Sequence, residues 1–336
     1  MANKFRGGQE AASLEDQTKP FLQSLKFTRL QDLISSPILR TRLIPVGHSP
    51  SQMELEGMTA WITVAGNWLL QIDLQAGKPT GAIRFHHPVG AMVSGTDSVW
   101  LAKGDIALKV PETLSTEGLH FVEHFPDGEA VFAAGSIWTG GCSISSFGCF
   151  DKLARIDPNN PKSITRIKIS GGVADIASSK DTVWVQKLVK GGGVARVDAS
   201  KNTVSANIPV PFTLGASLTA DSSALWVDDG AAIWRVDAHT NQVTRMDFQG
   251  PTQSCLTGNT LWVLELSTAK LLLHHFDSQT RQEVGSAVPL GETRIEGTSG
   301  SSGSLLLSRI HLRACQDDEV WLSDSSGVLL RLDTKP

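Results

Sequence analysis

The chain lacks the features that would mark an exported, membrane-spanning or nucleic-acid-binding protein. Its first twenty residues, MANKFRGGQEAASLEDQTKP, hold no apolar run of the kind a signal peptide needs. No later segment approaches the roughly 20 apolar residues of a membrane span, so none is expected, and the compartment stays open. There is no long Lys/Arg run, and the net charge of -4 with a pI near 6.1 gives no electrostatic reason for a nucleic-acid or membrane-surface partner. A small molecule or another protein is the expected partner, and the chain is expected to act as a monomer. Cysteines number only four, and none form a C-x-x-C pair, which excludes the usual zinc patterns. Cys142 and Cys149 bracket one loop and can staple it, but only in an oxidising compartment. Neither G-x-S-x-G nor H-E-x-x-H is present, and the glycine run KGGGVARVD reads as a hairpin turn because no helix follows it to cradle a phosphate.

What is present is enough apolar residue for a large core, 40% of 336, and a repeat. A short apolar strand carrying tryptophan recurs as TAWITV, SVWLAK, SIWTGG, TVWVQK, ALWVDD, TLWVLE and EVWLSD. The anchors are Trp61, Trp100, Trp138, Trp184, Trp226, Trp262 and Trp321, spaced by 39, 38, 46, 42, 36 and 59 residues. All but the last interval suit a four-stranded propeller blade. After most anchors a further strand ends in an acidic turn, as in LLQIDLQAGK, LARIDPNNPK and VARVDASKNT. Here Asp73, Asp157, Asp198, Asp237, Asp277 and Asp333 are expected to accept backbone N–H groups. The seventh anchor has only two strands after it, while RTRLIPVGHSPSQMELEGMTAW near the N-terminus matches ITRIKISGGVADIASSKDTVW element for element. Thr41 to Val46 is therefore expected to supply the outer strand of the last blade. The fold expected is all-β: a seven-bladed β-propeller over 39–336, closed by an N-terminal strand. Residues 1–38 are read as a tail and a short helical extension, from the helical spacing of Phe21, Leu22, Leu25, Leu30, Leu33 and Ile34.

With IPVGHSPSQM, TVWV and VARVDASKNTV in view, the chain resembles the YVTN-type propeller repeats and the streptogramin (virginiamycin B) lyase superfamily. The likeness runs over 39–336. It implies a propeller used for ligand or protein binding at its central channel, or a metal-dependent lyase or hydrolase on the same face. The lyase anchor strand commonly reads Trp-Phe-Thr-Glu, and LWVLELS keeps its Trp and Glu at Trp262 and Glu265. The paired Glu and His of the lyase site have no counterpart in the linear pattern of any repeat.

In a propeller the crossings between blades share one end with the loops between second and third strands. His48 and His87 each lie thirteen residues before an anchor and His124 fourteen, which puts all three on crossings at that end. Asp229, Glu265 and Asp324 each lie three residues after an anchor, approaching the same end. Carboxylates beside imidazoles there can hold a divalent cation such as Mg2+ or act as acid and base. On that reading Glu265, Asp229 and Asp324 hold the metal, His87 or His48 removes a proton, and His124 and Phe147 contact the ligand. Phe147 belongs to the inserted loop TGGCSISSFGCFDK; a second insertion, GETRIEGTSGSSGSLLLSR, precedes Trp321. His274 and His275 lie on one strand and point to opposite sides. Cys255 and Cys315 fall seven and six residues before their anchors and are read as small core residues.

Overall fold

The structure, a computed structural model, describes residues 40–334 apart from short stretches, of which 112–119, 124–128, 144–147 and 293–309 are the longest. The helical extension expected before residue 39 lies outside the described residues. Among the described residues all regular structure is strand, and no helix is long and apolar enough to cross a membrane.

The described strands form seven four-stranded antiparallel sheets. The first runs outward through Pro50–Glu56, Thr59–Val64, Trp68–Asp73 and Lys78–Arg84. The innermost strands of the others are Met92–Ser94, Glu129–Ala133, Asp175–Ser179, Ser217–Ala220, Thr252–Thr257 and Ile310–Gln316. Each innermost strand packs against the next, and the last packs against the first, so they ring a central channel. The fold is a β-propeller. Its last sheet takes three strands from the C-terminus and its outermost strand, Arg40–Pro45, from the other end of the chain. That strand is antiparallel to Val328–Asp333, with Leu43 opposite Leu330. Tight turns join neighbouring strands; in the third sheet Ala134 and Gly135, with φ of 48° and 68°, make the mirror-image turn that suits twisted hairpins.

The core lies between sheets, one apolar cluster to each seam. The anchor tryptophans point from their own sheet into the following one: Trp61 packs on Met92, Val99 and Leu101 of the second sheet, and Trp321 on Ile62 and Leu70 of the first. All seven anchors are buried, and truncating one to alanine costs about 3–5 kcal/mol. Directly opposite each anchor, on the third strand, stand Gln71, Lys109, Arg155, Arg196, Arg235, His275 and Arg331 in turn. The four arginines lie over their tryptophan rings at 5.5–5.9 Å. His275 stacks on Trp262 at 4.5 Å, in the arginine's place. Three of these guanidinium groups also donate to a carbonyl at the outer turn of the following sheet: Arg155 to Ala199, Arg196 to Ala238 and Arg331 to Leu74. Each of those carbonyls belongs to the residue after a turn aspartate. The turn aspartates themselves accept backbone N–H groups, as Asp198 does from Ser200 and Lys201, and Asp237 from His239 and Thr240.

One core assignment needs correction. Cys255 and Cys315 are not separate core residues but a disulfide, with Cα atoms 6.1 Å apart, joining the innermost strands of the sixth and seventh sheets. The register explains it. Cys255 stands opposite Trp262 and so faces the seventh sheet, whereas Cys315 stands opposite Val320, one residue before its anchor, and faces back.

Candidate binding site at the channel mouth

Hydrogen bonds between crossings and loops define the mouth. The crossing into the second sheet bonds the first sheet's loop through Val89 N to Gly66 O at 2.7 Å. The crossing into the first sheet bonds Gly327 O through Val46 N and Gly47 N at 2.9 and 3.1 Å. Thr252 N to Gly230 O at 3.2 Å repeats the arrangement between the fifth and sixth sheets. The inter-blade crossings and the loops between second and third strands therefore share one end.

His48, His87, His124 and Phe147 lie outside the described residues, as do the loop tip 144–147 and the second insertion, 293–309. Cys142 and Cys149 stand opposite each other in a two-stranded hairpin within the first insertion. Asp229 is taken up by its own loop: Oδ1 accepts from Ala231 N and Ala232 N, and Oδ2 from Trp234 Nε1. Asp324 ends its strand opposite Ile310. Glu265 is 4% exposed; its Oε1 accepts from Gln249 N at 2.6 Å and Gly250 N at 2.9 Å, so it fastens the crossing from the fifth sheet. Among the described residues no three His, Cys, Asp or Glu side chains group as a metal site would require.

Glu265 does have a histidine partner, and its linear spacing concealed it. His274, on the neighbouring strand, places Nε2 2.8 Å from Glu265 Oε2, while its Nδ1 lies 2.8 Å from Glu283 Oε1. The imidazole is packed between Phe248 of the preceding sheet and Phe276. This row faces the seam between fifth and sixth sheets. As expected from strand alternation, His275 faces the other way, onto Trp262.

A second set of acids was not legible as a site from the sequence. Glu54, Glu129 and Asp175 occupy innermost strands of the first, third and fourth sheets, each on the side facing the next sheet. Ser94 Oγ donates to Glu54 Oε2 at 3.1 Å, and Leu218 N to Asp175 Oδ2 at 3.1 Å. Burial pushes the Glu54 and Asp175 carboxyls up to about 7, and Glu129 is also raised. Glu129 adds repulsion to each of the others, and Glu56 adds to that on Glu54. Glu129 is nonetheless open to solvent. On the next seam Asp228, 4% exposed, accepts from Thr252 Oγ1 at 2.7 Å and Gly230 N at 2.9 Å, and burial raises it too. Across the ring, Arg313 holds the seam between the seventh and first sheets by donating to the carbonyls of Pro50 and Ser51.

Similarity to known proteins is of fold. The β-propeller domain of Myceliophteria thermophila Cps50 (Swd1) superimposes with a TM-score of 0.63 at 11% identity, covering 88% of this chain and 100% of its own. Kuenenia stuttgartiensis hydrazine synthase does so with a TM-score of 0.62 at 11% identity, covering 91% and 98%. No protein-family profile matches the sequence, and no curated protein matches it.

Proposed function

We propose that the chain is a seven-bladed propeller of the YVTN/lyase-like type that binds a ligand or a protein at its channel mouth. The observation that supports this most is the set of burial-raised carboxyls on the innermost strands that ring the channel, at Glu54, Glu129 and Asp175, with Glu129 open to solvent. Ligand sites favour places where a few polar groups converge inside apolar walls. The sequence-derived set His48, His87, His124, Phe147, Asp229 and Asp324 belongs to the rim of the same end on this reading. Ser217, exposed at the start of the fifth innermost strand, offers the test. A thermal-shift screen of neutral, anionic and cationic compounds should yield ligands that stabilise the parent protein but not Ser217→Trp, whose indole fills the mouth. Ligands that bind both proteins equally would place the site elsewhere and overturn the proposal.

A second reading, a metal-dependent lyase or hydrolase in which Glu265, with Asp229 or Asp324, carries Mg2+ and a histidine, His87 or His48, removes the proton, requires Glu265 to exchange its Gln249, Gly250 and His274 partners for the ion. Titration with Mg2+, Mn2+ and Zn2+ against a Glu265→Ala control decides it; the absence of specific binding sinks it.

A further inference from the structure

The seam between the fourth and fifth sheets carries a buried donor without an acceptor among the described residues. Gln186 is 1% exposed, and its Nε2 finds no hydrogen-bond partner among them. It stands two residues beyond Trp184 and directly opposite Asp175, so the two side chains leave the same face of the sheet, side by side, toward the channel-facing seam. A buried amide N–H left unpaired is unfavourable unless a partner arrives. In the sixth sheet the place of Asp175 is taken by Gln253, which stands opposite Leu264 where the fourth sheet has Gln186; Gln253 meets the neighbouring sheet with both ends, its Nε2 donating to Ile310 O at 2.9 Å and its Oε1 accepting from Leu312 N at 2.7 Å. The fourth sheet uses Asp175 for the acceptor half of that staple, through Leu218 N, and leaves the Gln186 donor over. Beside it stands Asp175, which senses Glu129 on the preceding innermost strand, and the described bases of the innermost strands, His311 and Arg313, both belong to the seventh sheet, where backbone carbonyls of the first sheet hold Arg313.

We propose that this part of the channel binds an organic cation, a primary ammonium or guanidinium group held between Asp175 and Glu129, with the Gln186 amide donating to a carbonyl or carboxylate on the same molecule. The inference rests on the channel-binding reading above and adds the ligand's chemistry. An organic cation fits these residues better than a bare metal ion, because the carboxyls come from separate sheets and do not group as metal ligands. A molecule with an ammonium beside a carbonyl supplies both what the acids lack and what Gln186 lacks. Binding would draw the raised carboxyls into their ionised forms, so protons leave the protein as the cation enters.

The experiment is calorimetric titration at pH 6.5 with glycine amide, arginine amide and putrescine, at fixed ionic strength and in two buffers of different ionisation enthalpy. Saturable binding is expected, tighter for the two amides than for putrescine, with proton release. Asp175→Asn and Glu129→Gln should each weaken it by about tenfold or more and reduce the protons released. Gln186→Leu should remove the preference for the amides over putrescine while the circular dichroism stays that of the parent. Saturable binding untouched by these substitutions overturns the inference. So does a channel that takes neutral or anionic compounds, lost in Ser217→Trp, but no amine; that result leaves the channel-binding reading standing. Binding by no compound of any charge overturns both.

Discussion

Removing the Cys255–Cys315 bridge should lower the melting temperature by a predictable amount. The bond closes a chain segment with a sequence separation of 60. Chain-entropy bookkeeping for a loop of that length gives about 4 kcal/mol of stabilisation through restriction of the unfolded ensemble. Unfolding entropy of roughly 2.1 cal/mol/K per residue makes the whole chain's about 0.7 kcal/mol/K, so the loss corresponds to about 6 °C. The variant is Cys255→Ala with Cys315→Ala, so that no lone thiol remains, read by scanning calorimetry beside a Cys142→Ala, Cys149→Ala control that spans a far shorter loop. Thiol titration of the denatured parent should show the bridge intact. A drop of less than about 1 °C with the bridge present would refute the reasoning, since the bond would then be restraining a segment already held in the unfolded state.

Three further outcomes follow from the geometry. Stability should fall as pH rises from about 4.5 to about 7, because Glu54 and Asp175 carry folded values near 7 against 4.5 and 3.8 when free, so the folded state binds the extra protons across that window; a Glu54→Gln variant should flatten the slope of melting temperature against pH. Glu265→Ala strips two backbone donors, Gln249 N and Gly250 N, of their acceptor and should cost about 2–4 kcal/mol in urea titration, with Glu265→Gln recovering most of it. Arg196→Met keeps the apolar stem over Trp184 but loses the cation and the bond to Ala238 O, and should cost about 1–2 kcal/mol, measured the same way.

The parts legible in the sequence are those that repeat. Tryptophan marks each second strand because one large ring per seam fills the gap between sheets, and aspartate marks the outer turn because its carboxylate collects N–H groups from the next two or three residues. Closure by Arg40–Pro45 was legible for the same reason, as a repeat split between the two ends. What escaped depended on register between strands. Strand alternation told that His274 and His275 face apart, but not that His274 lies diagonally across from Glu265. The cysteines illustrate the same limit: a spacing of seven before one anchor and six before the next is a one-residue shift, and that shift turns the second thiol round to meet the first. Glu54, Glu129 and Asp175 lie seven, nine and nine residues before their anchors, on short innermost strands whose alternation is broken by a bulge or by the crossing itself. Aligning the repeats on tryptophan and reading backwards for acids would have found them.

The strand that completes the last sheet is made long before the strand it pairs with. During synthesis Arg40–Pro45 has no partner until Val328–Asp333 has been released, so it must wait with both edges bare while the intervening sheets assemble. A chain reopened between Val46 and Pro50, with Asp333 linked onward to Arg40, would place all four strands of that sheet in one continuous segment. Such a permutant should keep the ring but finish it without a partner recruited from the far end.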